Sequence, residues 1–427
     1  MIAQVVDQRE QVAQAIVAEF EGVWQEAVEA KEGEEAERLV LAWTRAVGRR
    51  VLEAALQAGI ERREEQPVSC CGKPMIRRVR EWRQVVTVLG PVRVRRRYLL
   101  CQRCQAHGRP VDKWLRWSGG FSPVVEELVA WECSLLPYRE ALRSLEKLAG
   151  VEVSVLGAER IVGRWSKQRL KLAPYAERVD KDLVIEIDGS KAHLEEGWKE
   201  IKVGACFSWD RADPNAAPEA VTYCGDWERA EQFRETLWRE ALVRGVSTAR
   251  SLAVIGDGAP WIWEMASHLF PRGVQVLDWY HLTEHLGRAA KVLHGEKTPE
   301  TTALVERWKT QMQAGCLEGV EEELRELVAA GGDDKDNTLR KCADYLQTNQ
   351  ARLRYHLFRA AGWPIGSGVV EGACKHVVGL RFKRQSTRWT RAGARAVLHL
   401  RLDRLSDRWQ ARRDLVRQSH APLRQAA

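Results

Sequence analysis

Residues 183–189 read LVIEIDG, and this stretch decides the fold because an apolar run ends there in a carboxylate and a glycine. Residues 252–258 read LAVIGDG and repeat the pattern. Short apolar runs that end at turn residues are typical of buried strands, so each stretch predicts a strand that delivers an aspartate at its carboxyl end. Residues 366–371 read GSGVVE, which predicts a turn that opens a helix with a glutamate in its first turns.

The segments around these stretches alternate between strand and helix patterns. Three early strands, then helix, strand, helix and strand, predict an α/β core with a mixed sheet at 180–281 and 362–406. Residues 282–361 are helical in pattern with a polar break at 331–334, so they predict a helical insertion. The candidate strands are 183–188, 200–208, 219–224, 252–257 and 274–278.

Three segments precede this core and make the chain a multidomain α+β protein. Residues 1–65 predict two amphipathic helices, which serve dimerisation, cap the rest of the chain, or simply pack as a helical hairpin. Residues 66–115 predict a small β domain with a hairpin turn at Gly90-Pro91. Residues 120–172 predict a helix-turn-helix outline. Its second helix carries the bases Arg160, Arg164 and Lys167.

Charge and composition restrict the partners. The 427 residues carry a net charge of +8, and because residues 1–65 hold 14 acids and 8 bases, the remainder carries +14. A basic remainder favours a polyanionic partner, nucleic acid first, over a merely soluble basic surface. There is no apolar run of about 18 residues and no export signal, and most cysteines are scattered singly. We therefore expect a cytoplasmic, nucleoid-associated chain with no membrane partner.

The three acidic residues Asp188, Asp257 and Glu371 suit one kind of chemistry. Two Mg²⁺ ions about 3.5–4 Å apart can activate one oxygen and stabilise another across a phosphorus, and such hard ions take oxygen ligands. Three converging carboxylates repel each other, at roughly 4 kcal/mol per pair at about 4 Å. Metal binding is the economical explanation if they converge; separate turn and cap aspartates are the alternative.

Four cysteines flank the predicted hairpin in two close pairs, Cys70-Cys71 and Cys101-x-x-Cys104. This pattern predicts a zinc-ribbon-like site. Adjacent side chains point in opposite directions in extended chain, so His107 is an alternative fourth ligand, and four reduced thiols remain the other interpretation.

Four blocks carry a resemblance to a known family: IDGS at 187–190, GDGAPWIW at 256–263, LDWYH at 277–281 and IGSGVVE at 365–371. Over most of residues 65–405 the chain resembles the DDE transposases of ISKra-type insertion sequences, which have an RNase H-like catalytic core. The resemblance implies that Asp188, Asp257 and Glu371 are catalytic and hold two Mg²⁺ or Mn²⁺ ions. Cys70-Cys71 departs from the wider first pair common in related transposases.

The resemblance also implies an activity and its partners. Such an enzyme binds the terminal inverted repeats of its own element, frees a 3′-hydroxyl by hydrolysis and joins it to target DNA. Because two DNA ends must be paired, at least a dimer is implied. The competing functions are an RNase H-like structure-selective endonuclease and a domesticated, catalytically silent DNA-binding regulator.

Asp278 and His281 form an Asp-x-x-His unit after the last predicted strand, as in Mutator-like and related DDE transposases. His281 donates to an oxygen near the scissile phosphate, or it orients the second aspartate or is satisfied in the core. His285, one helical turn further on, is the alternative functional histidine.

Basic residues outside the helix-turn-helix are predicted to contact DNA. The segment after Glu371 should follow phosphates without reading bases, unless it is only a solvated cationic face. Its bases are Lys375, Arg381, Lys383, Arg384 and Arg388. Hairpin arginines suit phosphate or guanine contacts, and they include Arg93, Arg95 and Arg97.

Overall fold

The computed structural model divides the chain into two units, Met1–Lys167 with Gln410–Ala427, and Gln168–Trp409. The predicted helical, β and helix-turn-helix segments fall in the first unit up to Lys167, and the predicted core and its insertion fall in the second. The structure describes residues 2–117, 119–174, 181–213, 215–227, 229–330, 333–384 and 388–419.

Two long helices begin the first unit, as the sequence predicts: α1 (Ile2–Glu29) and α2 (Gly33–Glu64). Their apolar positions near every fourth residue face each other, and Phe20 packs against Trp43 with ring centroids 5.8 Å apart. Trp24 lies one helical turn after Phe20, with ring centroids 6.0 Å apart, and remains exposed.

Five short or medium strands follow, in two sheets: β1 (Ser69–Cys70), β2 (Lys73–Pro74), β3 (Ile76–Thr87), β4 (Gly90–Leu100) and β5 (His107–Gly108). The hairpin turn lies at residues 88–89, so its prediction at Gly90-Pro91 is wrong by two residues. Thr87 pairs with Gly90 across the hairpin, and Gly90 has φ +101°. Glycine is needed because it closes the turn from the left-handed region, and not because it forms the tip.

Helices complete the amino-terminal part of this unit: α3 (Asp112–Leu115), α4 (Pro123–Leu135), α5 (Tyr138–Ala149) and α6 (Val155–Ser166). Gly150, at φ +65°, ends α5, and the Ser154 hydroxyl accepts a hydrogen bond from the Gly157 N–H at 3.1 Å to begin α6. The predicted helix, glycine turn and helix are therefore confirmed, with α4 packed against both.

The second unit contains a five-stranded sheet. Its strands are β6 (Asp182–Leu194), β7 (Gly197–Trp209), β8 (Glu219–Asp226), β9 (Leu252–Gly256) and β10 (Val274–Leu277). Their order across the sheet is β10-β9-β6-β7-β8. The strands β6, β7 and β8 form an antiparallel meander, whereas β9 is parallel to β6 and β10 is parallel to β9. The mixed sheet predicted from the sequence is confirmed.

Helices cover this sheet and build the insertion: α7 (Ala230–Val243), α8 (Pro260–Leu269), α9 (Trp279–His294), α10 (Pro299–Ala314), α11 (Leu317–Ala329), α12 (Asp333–Thr348), α13 (Tyr355–Ala360), α14 (Gly368–Ala373), α15 (Leu380–Phe382) and α16 (Arg391–Leu405). The described part of 282–361 contains no strand, and residues 331–332 of the predicted break lie outside the described residues. A π-helical stretch, Cys374–Gly379, follows α14 directly.

The core of the second unit lies on both faces of β6. Leu183, Val184, Ile185 and Ile187 are all fully buried, which is why this strand reads as an uninterrupted apolar run apart from one glutamate. The largest aromatic of the insertion, Trp308, is also buried in this core. The helices of the insertion thus share the core of the sheet instead of folding around a separate one.

Residues 409–418 form α17 (Trp409–Gln418). Arg412 is buried and donates to the Trp165 carbonyl oxygen at 3.0 Å, which ties the helix to α6 within the first unit. No helix among the described residues combines the length and the apolar character that crossing a bilayer requires.

Asp182 generates a stability prediction, because its side chain is 0% exposed between Arg211 (2.9 Å) and Arg250 (2.6 Å). Burial alone would raise the pKa of Asp182, but the hydrogen bonds and charges of the two arginines hold it below its usual range. We expect Asp182→Asn to lower the free energy of unfolding by about 3 kcal/mol, since the partners keep uncompensated charges. Urea unfolding at neutral pH measures this.

The matched control is Glu219→Gln, which breaks an exposed pair with Lys181 on the same sheet and should cost under about 1 kcal/mol. The Asp182 contribution is complete above the ordinary aspartate pKa of about 4 and is lost as pH falls through the lower folded-state pKa. Equal losses in the two variants would contradict the assignment.

Candidate active site

Three aspartates meet one edge of the sheet because three strands are in register. Ile187 of β6 pairs with Gly256 of β9, and Gly256 pairs with Leu277 of β10. The residues that follow these three in the chain are Asp188, Asp257 and Asp278. Since these three strands are mutually parallel, their carboxyl ends point the same way, and the aspartates follow at equivalent positions. Strands β9 and β10 end directly before Asp257 and Asp278, but β6 continues to Leu194, so Asp188 lies inside its strand. The predicted strand end is therefore confirmed for Asp257 and wrong for Asp188. The register still sets both aspartates side by side, with Asp278 as a third.

The Asp257 loop is held by its own side chain and by the helical insertion. The Ala259 N–H donates to Asp257 Oδ1 at 2.8 Å, which forms a tight turn, and Tyr345 of α12 donates to the Asp257 carbonyl at 2.8 Å. Gly258 adopts φ +99°, and a Cβ there would lie 2.8 Å from the Tyr345 ring. The insertion therefore contributes a side chain that fixes the backbone of the second aspartate.

Glu371 is carried by the short helix α14, whose beginning is bound to the sheet. The Val370 N–H donates to Glu186 Oε2 at 2.7 Å, and the Ser367 N–H donates to Asp278 Oδ1 at 2.6 Å. The Glu371 side chain is partly exposed and forms an ion pair with Lys375 at 2.7 Å.

The electrostatic surroundings of Asp188 favour a cation. Burial raises the pKa of Asp188, and the nearby Asp257 charge raises it further, although hydrogen bonds from Cys374 and from the Gly189 N–H oppose this. The Cys374 thiol responds to the charges of both Asp188 and Glu371, and burial raises its pKa so that it stays protonated. Cys374 therefore lies within electrostatic range of both carboxylates.

His281 is the positively charged group of this edge. Its Nδ1 lies 2.7 Å from Asp278 Oδ2, and this hydrogen bond, together with the Asp257 and Asp188 charges, raises the pKa of His281 to about 9 against the opposing effect of burial. The pKa of His285 is lowered to about 4 by burial and by neighbouring cations, and its ring stacks on Tyr345 at 3.9 Å. Of the two predicted histidines, His281 is the one that interacts with the aspartates.

The three predicted carboxylates are not drawn into a closed ligand set. Among the residues that the structure describes, only the four clustered cysteines bring three or more ligand atoms within 4.8 Å of one another. Glu371 Oε1 forms an ion pair with Lys375 Nζ at 2.7 Å, and Glu371 forms no close ligand cluster with Asp188 and Asp257.

The sequence model of the uncharacterised protein family UPF0236 matches residues 30–417. The chain belongs to this family. No curated protein matches the chain. The UPF0236 match includes the three aspartates, Glu371 and the four cysteines, so every candidate site residue lies inside the region that defines the family.

In the cysteine cluster of this UPF0236 chain, the backbone conformation allows the adjacent residues Cys70 and Cys71 to take part together. Cys71 has φ +52° and Gly72 has φ +75°, so the chain turns between β1 and β2 and both neighbouring thiols face the same side. Cys70 Sγ lies 3.9 Å from Cys71 Sγ and 3.5 Å from Cys104 Sγ. The backbone N–H of Ala106 lowers the pKa of Cys104 to about 7.

His107 is not part of the cluster, so its prediction as a fourth ligand is corrected. Its Nδ1 lies 3.2 Å from the Gln105 carbonyl oxygen, and its ring packs against Tyr98. The second strand of the hairpin leads Cys101 directly into the site, and β5 carries His107 along the sheet instead.

The hairpin arginines divide into two groups. Arg93 and Arg95 lie over the Trp82 ring at 5.0 and 5.2 Å, and Trp82 is 57% exposed, so these three form an accessible cationic and aromatic surface. Arg97 instead faces Glu64, at 3.8 Å between the charged groups. The predicted DNA contact at Arg97 therefore competes with an ion pair inside the first unit.

The predicted DNA-binding bases in and after α6, and those after Glu371, also include both ion-paired or buried side chains and exposed ones. Arg164 pairs with the buried Glu126 at 2.5 Å, and Arg381 is 1% exposed with its guanidinium 4.5 Å from the Trp389 ring centroid. The prediction of Arg381 as a DNA contact is wrong in this conformation, because its charge is packed inside the core. The remaining predicted bases are exposed: Arg160, Lys167, Lys375, Lys383, Arg384 and Arg388.

Sequence reasoning missed three site residues. Glu186 was visible as a single acid inside a buried apolar strand, a position that needs hydrogen bonds. Cys374 and Tyr345 gave no signal, because a lone cysteine and a tyrosine in a helical segment are ordinary core residues. Only the tertiary structure brings them to Asp188 and Asp257.

The His281 pair generates a prediction for the metal-free protein in EDTA. We expect NMR titration to give His281 a pKa near 9, and Asp278→Asn to return it to about 6.5 or below, since burial then dominates. The stability that His281 contributes is complete below pH 6.5 and lost as pH rises through 9. Glu235→Gln, on an exposed helix face, should leave the titration unchanged. A wild-type His281 that titrates near 6.5 would refute the pair.

Proposed function

We propose that the chain is a DDE transposase, which cleaves DNA at the ends of its own insertion sequence and transfers the strands. The observation that carries the proposal is the register that delivers Asp188 and Asp257 to one sheet edge, with the Glu371 helix bound beside them. The strand order 3-2-1-4-5, counted along the chain, supports the RNase H-like core that the sequence resemblance implies. Membership of UPF0236, a family commonly associated with transposase-like insertion-sequence proteins, supports it too.

The donor set fits hard divalent cations. Asp188, Asp257 and Glu371 offer carboxylate oxygens only, and burial together with mutual repulsion raises the pKa of Asp188, so a cation would stabilise its charged form. Bound there, two Mg²⁺ or Mn²⁺ ions would activate the attacking oxygen and stabilise the leaving oxygen. His281, held positive by Asp278, would offset part of the negative charge and attract a phosphate.

The exposed bases would bind DNA phosphates. Lys383 lies close enough to lower the pKa of Cys374, so the basic segment begins at the candidate site itself. Arg160 on α6 and Lys167 directly after it suit the recognition helix of a helix-turn-helix, and Arg93 and Arg95 suit a second contact. Because two element ends must be paired, we propose at least a dimer on double-stranded DNA.

Two alternatives remain distinguishable. A structure-selective RNase H-like endonuclease would cleave branched DNA irrespective of end sequence, and the three-helix segment ending in the exposed bases of α6 favours sequence reading instead. A catalytically silent regulator would bind DNA without cleaving it. Cleavage of linear DNA that carries the repeats flanking the gene separates all three.

We predict that Asp188→Ala, Asp257→Ala and Glu371→Ala each reduce Mg²⁺-dependent end cleavage by about 10³-fold or more, since each removes charge that the transition state needs. DNA binding should persist in a gel-shift assay. Glu235→Ala, an exposed carboxylate on α7, is the control and should cleave normally. A residue whose variant cleaves at near wild-type rate is not a ligand.

We further propose that the four cysteines hold one structural zinc ion. Four thiols converge, and hydrogen bonds from the Ala106 N–H and the neighbouring thiols lower the pKa of Cys104 to about 7, while the same thiol contacts raise the pKa of Cys70 to about 12. Zinc binds thiolates, so a bound ion would stabilise the deprotonated form of the four cysteines. The ion would join the β1–β2 turn to the end of β4 and so keep the hairpin in place.

We predict that Cys101→Ser or Cys104→Ser lowers the zinc content from one per chain to near zero by elemental analysis and weakens end binding. His107→Ala and Cys316→Ser, which change a ring and a thiol outside the cluster, should keep the full content. A wild-type protein that is purified without zinc and binds DNA ends normally would remove the proposal.

A further inference from the structure

We infer that Glu186 and Asp278 are positioning residues: two buried carboxyl groups, one on β6 and one directly after β10, bind the beginning of the Glu371 helix and set where Glu371 stands relative to Asp188. The catalytic consequence rests on the proposed function, whereas the backbone anchoring does not depend on it.

The two contacts are short and lie side by side in the chain. The Val370 N–H donates to Glu186 Oε2 at 2.7 Å, across 184 residues of sequence. The Ser367 N–H donates to Asp278 Oδ1 at 2.6 Å. A third link joins the same segment to the beginning of α9, since the Trp279 N–H donates to the Ile365 carbonyl oxygen at 2.9 Å.

The Glu371 helix needs this external support. Helix α14 has six residues, which is too short to be stable by itself. The first N–H groups of any helix lack partners inside it, and they are usually satisfied by a side chain at the preceding position. Ser367 occupies that position without making such a bond. The carboxyl groups of Glu186 and Asp278 take over the role of the cap. Hydrogen bonds hold the pKa of Asp278 low against the effect of burial, and its negative charge is favourable at a helix beginning. Burial raises the pKa of Glu186 to about 8, so Glu186 acts as a hydrogen-bond acceptor.

Packing alone does not account for the two acids. Glu186 and Asp278 are each 1% exposed, and a buried carboxylate is costly unless it accepts hydrogen bonds. Asp278 divides its oxygens between Ser367 on one side and the His281 ring and N–H on the other. Glu186 accepts from the backbone of Val369 and Val370. In each case a backbone N–H of the α14 segment supplies part of the compensation.

The anchors also fix a distance that matters for the proposed chemistry. Glu186 and Asp188 are two apart on β6 and therefore lie on the same face of the sheet. Val370 and Glu371 are neighbours on α14. The Glu186–Val370 bond thus sets the separation of the two backbones that carry Asp188 and Glu371, and errors of about 1 Å in such positions can cost about 10²-fold in rate.

The first experiment measures the anchor directly, by hydrogen exchange of the Val370 and Ser367 amides in the full chain. Glu186→Leu removes the acceptor at similar size, and Glu186→Gln keeps an acceptor oxygen. We expect Val370 to exchange at least about tenfold faster in the leucine variant than in the glutamine variant, since only leucine removes the acceptor of this buried hydrogen bond. Asp278→Ala should have the same effect on Ser367.

The matched control is Asp182→Asn, which alters a buried acid at the other end of β6. It should destabilise the unit without accelerating Val370 or Ser367 beyond the surrounding amides. If Glu186→Leu does not fold, two other comparisons replace it. Asp278→Ala is compared with the wild-type protein at the Ser367 amide, and Glu186→Gln is compared with the wild-type protein at the Val370 amide. Unchanged exchange at both amides would overturn the inference.

The second experiment measures Mg²⁺-dependent end cleavage and Mn²⁺ affinity in the same variants. Glu186→Leu should lower kcat by about tenfold or more with little change in KM for DNA, and Glu186→Gln should recover most of the loss. If the Val370 amide exchanges faster in Glu186→Leu but kcat equals that of the wild-type protein, the positioning role is wrong. If the wild-type protein cleaves no DNA, the proposed function fails, and exchange with Mn²⁺ affinity still decides whether the anchor positions Glu371.

Discussion

The hydrogen-bonded register of β6, β9 and β10 is the constraint on which the candidate site depends. Parallel pairing aligns Ile187, Gly256 and Leu277, so the residue after each reaches the same edge. The register is strongly specified because β6 is apolar and buried on both faces, and a slip of one residue would turn its side chains to the wrong sides. The precision of the site is therefore a property of the sheet core and not of the loops alone.

Buried acids in this unit are satisfied in two different ways. Asp182 is compensated by two arginine side chains, which hold its charge. Glu186 and Asp278 are compensated largely by backbone N–H groups of a short helix and, for Asp278, by His281. The first kind of contact stabilises the unit locally. The second kind of contact bonds β6 and the residue after β10 to a segment that follows the long helical insertion. It therefore fixes the positions of residues that are far apart in the chain.

The carboxylates beside the ends of β9 and β10 concentrate negative charge. Asp188 and Asp257 repel each other, and His281 relieves only part of this repulsion. Glu371 forms an ion pair with Lys375. On the proposed function, a divalent cation would offset the negative charge that remains.

The sequence by itself determined the strands, the helical insertion, the helix pair and the aspartate at the end of β9, because apolar periodicity and turn residues act over a few neighbours. It did not show that β6 continues past Asp188. It could not determine the turn at 88–89, the burial of Arg381 or the approach of Cys374 and Tyr345 to the aspartates. Glu186 was readable as an anomaly, yet its partner Val370 lies 184 residues away. Only the tertiary structure decided these contacts, since hydrogen bonds and charge effects depend on distances in space that no local pattern records.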